Sequence, residues 1–298
     1  MSSKDQSQEE LAQTVIEEIV EFARTSPLNR MPTDDKQVIF DEPLVRFADG
    51  DDPLFTEYKT IIDPTHLTPR EALAQAYEKS PDDLPERISV ISWILPITEK
   101  TRKANRRETR VPSRLWSHTY WFGEKFNTAL REYVVDILSE TGCLAVAPLL
   151  QSYFKVDRNE KGLFSNWSER HIAYAAGNGT FSLSDGLITE RGVAHRCGSV
   201  VTDLVLPASH RIAESPYANC LVHFDGSCKA CVKRCPGEAI SEAGHDKVKC
   251  GEYLRSIGYR PATGEYDIET SVYGCGLCQT KVPCEYGIPA KIKKEKSD

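Results

Sequence analysis

Eight of the ten cysteines in this 298-residue chain fall between Cys220 and Cys284. The opening sequence MSSKDQSQEELAQ has no apolar signal core and no twin-arginine pair. No apolar run nears the roughly 18 residues of a membrane span. A cytoplasmic location is therefore expected, and there thiols stay reduced unless a metal holds them. Eight thiolates are what two [4Fe–4S] clusters require.

The spacing supports that chemistry. The stretch 228-CKACVKRCPGEAI-240 reads Cys-x2-Cys-x3-Cys-Pro, a ferredoxin-like phrase. A ferredoxin segment carries one more cysteine three residues earlier, and that position here is Asp225. Cys220 stands upstream across the turn-forming Asp225-Gly226-Ser227 and can supply the missing thiolate, a softer iron ligand than a carboxylate. In two-cluster ferredoxins the cysteine before proline crosses to the other cluster. By that rule one cluster takes Cys220, Cys228, Cys231 and Cys284, and the other takes Cys235, Cys250, Cys275 and Cys278. Gly274 and Gly276 are expected to let the backbone approach the sulfides. Zinc, which also uses Cys-x2-Cys pairs, is the alternative. Cys143 and Cys197 adjoin apolar strands and read as small buried hydrophobes.

The net charge of −7 implies no broad nucleic-acid surface, and the short tail 291-KIKKEK-296 reads as a solvated end. Hydrophobic residues at 40% suffice for a sizeable core. An apolar stripe at Leu11, Val15, Ile19 and Phe22 predicts a helix over 8–25. The stretch FDEPLVRFADGDDPLF reads as irregular. In HLTPREALAQAYEK, Thr68 is an N-cap, Pro69 takes the first helical position and Glu71 the third. RISVISWILPI (87–97) and CLAVAPLL (143–150) read as buried strands flanking a helix over 120–140, an α/β layer. Residues 166–181 read as a short helix running into a glycine-rich turn. LIT (187–189) and SVVTDLVL (199–206) read as strands, and Pro207 and Pro216 bracket a linker.

The stretch 166-NWSERHIAYAAGNGTFSLSDGLITERGVAHRCGSVVTDLVL-206, with GSCKACVKRCPGEAI, HDKVKCGEYL and YGCGLCQTKVPC after it, resembles epoxyqueuosine reductases and reductive dehalogenases. The resemblance covers roughly residues 87–290. It implies an α+β chain with an N-terminal extension (1–85), a nitroreductase-like cobalamin-binding domain (86–207) and a ferredoxin-like 2×[4Fe–4S] domain (216–298). It further implies an oxidoreductase that takes electrons from a low-potential donor such as ferredoxin or flavodoxin. The clusters would pass them to a base-off corrinoid and a small-molecule substrate. By the same resemblance Gly177, Asn178, Gly179, Thr180, Phe181 and Ser182 would lie against the corrin. Epoxyqueuosine reductases carry a proton-donating aspartate just ahead of an Ala-Pro pair. Aligned on Ala147-Pro148, that position is Ala145, so the substrate is expected to differ. Tyr153, Tyr174 and His171 are the substitute donors. The arginine-rich, aromatic segment 102–122 is expected to line the substrate mouth, to grip the corrinoid, or to form a solvated loop. A flavin reductase, an electron carrier and a corrinoid-handling protein are the alternatives.

Overall fold

The computed structural model describes residues 3–32, 35–211, 215–257, 259–260, 270–271 and 274–295. Its centre is a four-stranded sheet in the order β1-β2-β8-β3, antiparallel at every pairing. These strands are β1 (Leu44–Asp49), β2 (Ser89–Pro96), β3 (Ala145–Val146) and β8 (His195–Thr202). Between β3 and β8 in sequence come two hairpins, β4 (Val156–Asn159) with β5 (Gly162–Ser165), and β6 (Gly179–Phe181) with β7 (Leu187–Thr189). All eight residues of β2 are buried, as a strand covered on both faces must be.

Side chains alternate across a strand, and β2 sorts its own accordingly. Ile91, Trp93 and Leu95 join a core with α1 (Ser3–Thr25) and α5 (Arg114–Glu140). Val90 faces the opposite core, with α2 (Pro53–Ile61), α3 (Pro69–Ala76) and α6 (Glu169–Ala175). Gly198 pairs directly with Trp93, and a Cβ there would meet the indole at 2.4 Å. The indole N–H donates to Asn127 Oδ1 at 2.9 Å, which locks α5 onto the sheet.

The sequence reading needs four corrections. Residues 44–49 form an edge strand inside the segment expected to be irregular, because Val45 and Phe47 alternate into the core despite the flanking Pro, Asp and Gly. Only Ala145 and Val146 of 143–150 are strand, since Pro148 turns the chain into a 3₁₀ helix. The helix expected over 120–140 starts at Arg114, where Ser113 Oγ caps the Trp116 N–H. The strand–helix–strand unit gives no parallel neighbours, because β8 inserts between β2 and β3. By contrast, the capping box at Thr68 and Glu71 is present with both hydrogen bonds. Residues before 85 supply β1 and much of both cores, so the chain is continuous across the expected boundary at 85/86. Part of the 207–216 linker lies outside the described residues.

Candidate metal centre

The cysteine-rich segment is built from α7 (Leu221–Asp225), α8 (Ala230–Arg234), α9 (Lys247–Ile257) and α10 (Ala290–Glu295), with tight turns between them. Cys220, Cys228, Cys231 and Cys284 line one small cavity, together with Ile188, Leu221, Val222 and Val282. Burial pushes the Cys284 thiol up to about 12, and repulsion from Cys220, Cys231 and Cys228 adds to the shift. Cys231 is pushed up to about 11 by burial and by Cys220 and Cys228. The remaining four form a second neighbourhood. Cys278 is raised well above the usual thiol range by burial and by the charges of Cys275, Cys250, Cys235 and, from the first set, Cys231. Cys250 is pushed up to about 11 by burial and then by Cys275 and Cys235. The Ala239 N–H donates to Cys235 Sγ at 3.3 Å.

Asp225 is an exposed residue outside the cavity lining. It pairs with Lys291 and accepts the Ser227 N–H, which holds its carboxyl down at about 2. Among the described residues no three His, Cys, Asp or Glu converge as ligands of one ion. A four-iron cluster seats each thiolate on a separate iron, so its ligands stand further apart than those of a single metal. Thiols gathered this closely, one buried and the rest half-buried, fit a soft polynuclear cation, whose charge would offset the repulsion between their thiolates.

The glycines of 274-GCGLC-278 serve a purpose other than the expected one. Gly276 has φ +61°, and a Cβ there would meet the Trp116 indole at 1.9 Å. A Cβ at Gly274 would meet the Tyr120 ring at 2.9 Å. The space at both is taken by aromatic rings of α5, which seat the second set of thiols against the α+β body.

The arginine-rich segment also has a role outside the expected ones. It includes α4 (Glu99–Arg107), and it braces the cysteine turns. Arg234 of α8 donates to the carbonyls of Leu277, Thr280, Glu108 and Asn105 at 2.7–3.3 Å. Asn105 Nδ2 donates to the Cys275 carbonyl at 3.1 Å, and its Oδ1 accepts the Ser113 N–H. Glu285, 1% exposed, takes Arg106 at 2.7 Å, Arg102 at 3.5 Å and the Lys281 N–H at 2.7 Å. The carboxylate beside Arg106 raises that guanidinium above its ordinary value.

The 177–182 turn packs against the chain's own backbone. A Cβ at Gly177 (φ +80°) would meet the His210 carbonyl at 2.8 Å, and one at Gly179 the Ile188 carbonyl at 2.4 Å. Asn178 is buried on Ser92, Thr180 Oγ1 accepts the Asn219 N–H, the Phe181 N–H donates to the Pro216 carbonyl, and Ser182 lines the cysteine cavity. The turn thus stitches the body to the segment leading into Cys220, while Gly177, Gly179 and Phe181 alternate with buried neighbours and stay partly exposed.

The three proton-donor candidates separate. His171 is held down at about 3 by burial, with Nδ1 on Ser168 Oγ at 2.8 Å and its ring against Tyr58 and Phe181. Tyr174 packs on Phe181, and burial raises its phenol. Tyr153 borders a cavity of about 610 Å³, lined also by Gln75, Lys155, Asp157, Phe164 and Asn166. Its hydroxyl donates to the Ala72 carbonyl at 2.8 Å, and burial raises its pKa. Sequence reasoning missed this cavity because it missed the β4–β5 hairpin, whose signal is the turn-forming Asn159…Gly162. It also missed the partnership of Cys197 with His195 Nδ1 at 3.6 Å, where burial pushes the thiol up to about 12, as an inert thiol requires.

No family model matches the chain. Curated relatives do. An epoxyqueuosine reductase of Bacillus anthracis is 25% identical over 203 residues, 67% of this chain and 49% of that protein. One of Staphylococcus aureus is 38% identical over 65 residues, 21% of this chain and 17% of that protein. Over these stretches the chain is similar to epoxyqueuosine reductases. It spans about half the length of the longer matches, including one from Bacillus cereus at 25% identity over 50% of that protein. The solved epoxyqueuosine reductase of Bacillus subtilis gives a TM-score of 0.46 at 18% identity, covering 94% of this chain and 68% of that one. A catabolic reductive dehalogenase gives 0.48 at 15% identity, covering 69% of this chain and 27% of that one. The relationship is to oxidoreductases. Among the described residues no helix is long and apolar enough to cross a membrane.

Proposed function

We propose that the chain is an iron–sulfur reductase in which two [4Fe–4S] clusters carry electrons to a small-molecule substrate bound in the α+β body. On this reading residues 216–298 are a ferredoxin-like module, and the α+β body before it, to which the residues before 85 contribute β1 and core, is nitroreductase-like. The observation that carries it is the gathering of Cys220, Cys228, Cys231 and Cys284 around one cavity, with Cys278 close to Cys275, Cys250 and Cys235 and next to that first group. When bound, such clusters supply one-electron steps. The chain's own groups hold and shield them: Trp116 and Tyr120 cover the Cys275–Cys278 turn, and Arg234 and Asn105 fix its carbonyls. The resemblance adds a corrinoid to this reading, which the partly exposed residues Gly177, Gly179 and Phe181 would face, and no step is derived through it. The cavity of about 610 Å³ favours an enzyme over a simple electron carrier, which needs no ligand-sized cavity. Tyr153 borders that cavity, but its hydroxyl proton is committed to the Ala72 carbonyl and burial raises its pKa, which makes it a weak proton donor.

The test is anaerobic reconstitution followed by iron and acid-labile sulfide analysis and EPR after reduction. About eight irons and eight sulfides per chain are expected. Cys231→Ala and Cys278→Ala should each remove about half, leaving different signals. Sulfide-free protein that retains zinc would sink the proposal.

A further inference from the structure

We propose that the cavity of about 610 Å³ beside the β4–β5 hairpin binds a small zwitterion of dipeptide length, its carboxylate on Lys155 and its ammonium on Asp157. This names the substrate class of the reading above and rests on that reading for its redox role alone.

The register of the hairpin decides which side chains reach the cavity. Side chains alternate across a strand, and directly opposite residues share a face. Asp157 stands opposite Phe164. The Asn166 N–H donates to the Lys155 carbonyl at 3.1 Å, which extends the ladder by one pair and sets Lys155 opposite Asn166. One face of the hairpin therefore carries Lys155, Asp157, Phe164 and Asn166, and all four line the cavity. Val156, Arg158 and Leu163 belong to the other face, and none of them lines it.

The neutral groups of that face are committed to the fold, and the charges are not. The Asn166 amide donates to the Tyr153 carbonyl at 2.9 Å and accepts the Lys155 N–H at 2.8 Å. The Asp157 carboxylate accepts the N–H of its own neighbour Arg158 at 2.7 Å. Among the described residues neither Lys155 nor Asp157 enters an ion pair, with each other or with a third group. Two residues along a strand place these opposite charges on backbone positions about 7 Å apart. An extended dipeptide spans about 7 Å and a single amino acid about half of that. A zwitterion of dipeptide length thus meets both charges at once, and a free amino acid meets one. Gln75 and Ser152 border the same space and offer hydrogen bonds to an amide between the two ends, and the Phe164 ring offers an apolar wall. The hairpin also joins the cavity to the cysteine-rich segment. A Cβ at Gly162 would meet Lys247 at 3.0 Å, on α9, the helix that carries Cys250.

The experiment titrates the reconstituted protein by calorimetry with alanylphenylalanine, its N-acetyl form, its C-terminal amide and free phenylalanine. The unblocked dipeptide should bind about fivefold more tightly than each of the other three, the worth of one exposed charge pair. Lys155 and Asp157 are exposed, so Lys155→Met and Asp157→Asn leave both cores intact. Lys155→Met should bind the dipeptide no better than its amide, and Asp157→Asn no better than its N-acetyl form. Equal binding of free and blocked dipeptides by the wild type, or a preference that survives in both variants, overturns the proposal. Failure to bind the dipeptide in protein that holds its iron and sulfide overturns it too. Sulfide-free protein that shows the full pattern would keep the ligand class and overturn the two-cluster reading instead.

Discussion

Ala145 lies on the edge strand β3, where one side of the backbone has no strand to pair with. Tyr77 fills that gap: its hydroxyl accepts the Ala145 N–H and donates to the Ala145 carbonyl, both at 3.0 Å. With Ala145 only 4% exposed, Tyr77→Phe strands both groups away from water. The expected cost is about 2–3 kcal/mol, read as a lower urea midpoint at an unchanged slope. An unchanged midpoint would mean that water reaches the strand edge. The same burial explains why the aspartate expected from the resemblance cannot simply be put back. Ala145→Asp would bury a carboxylate with no cation beside it, and a loss of several kcal/mol is expected. A stable Ala145→Asp protein would show that the position opens to solvent or substrate.

Elements here are held together by side chains that reach across long stretches of sequence to carbonyl acceptors. Arg234 joins α8 to the end of α4 and to the Cys275–Thr280 turn through four carbonyls. Lysine keeps the charge but not the planar fork that spans them. Arg234→Lys is expected to cost about 2 kcal/mol and to speed iron loss from the second set to a chelator. Wild-type release kinetics would remove Arg234 from the brace. The same contacts explain what the sequence could and could not reveal. The helix at Pro69 was legible because a capping box is local, and β2 because an unbroken apolar run is local. The cysteine spacing was legible for the same reason. The brace was not, because a backbone carbonyl has no sequence signature. Nor was β1, whose two inward residues sit among turn-formers. The role of Gly276 was hidden as well: the partner that demands it, Trp116, is a helix residue far upstream.

At the scale of the whole molecule, acid should loosen the packing between the sheet and its helices. Three histidines are buried there with depressed pKa values: His66 at about 4, His171 at about 3 and His195 at about 4, burial being the largest cause in each. His66 Nε2 accepts the Ser168 N–H at 3.1 Å, and an imidazolium could not. In the unfolded chain each titrates near 6.5. Between 6.5 and the folded values the unfolded state therefore binds more protons, so stability rises with pH across that window and is lost as pH falls through it. Above 6.5 both states are neutral and the effect vanishes. At pH 5 each histidine costs about 2 kcal/mol, a large share of the about 5–15 kcal/mol that holds a domain folded. His66→Gln tests this while other acid effects cancel between the two proteins, since glutamine can accept the Ser168 N–H without titrating. The drop in urea-unfolding free energy between pH 7.5 and pH 5 should be about 2 kcal/mol smaller in the variant than in the wild type. An identical drop would mean that His66 is already protonated in the folded protein, or that it remains neutral in the unfolded one.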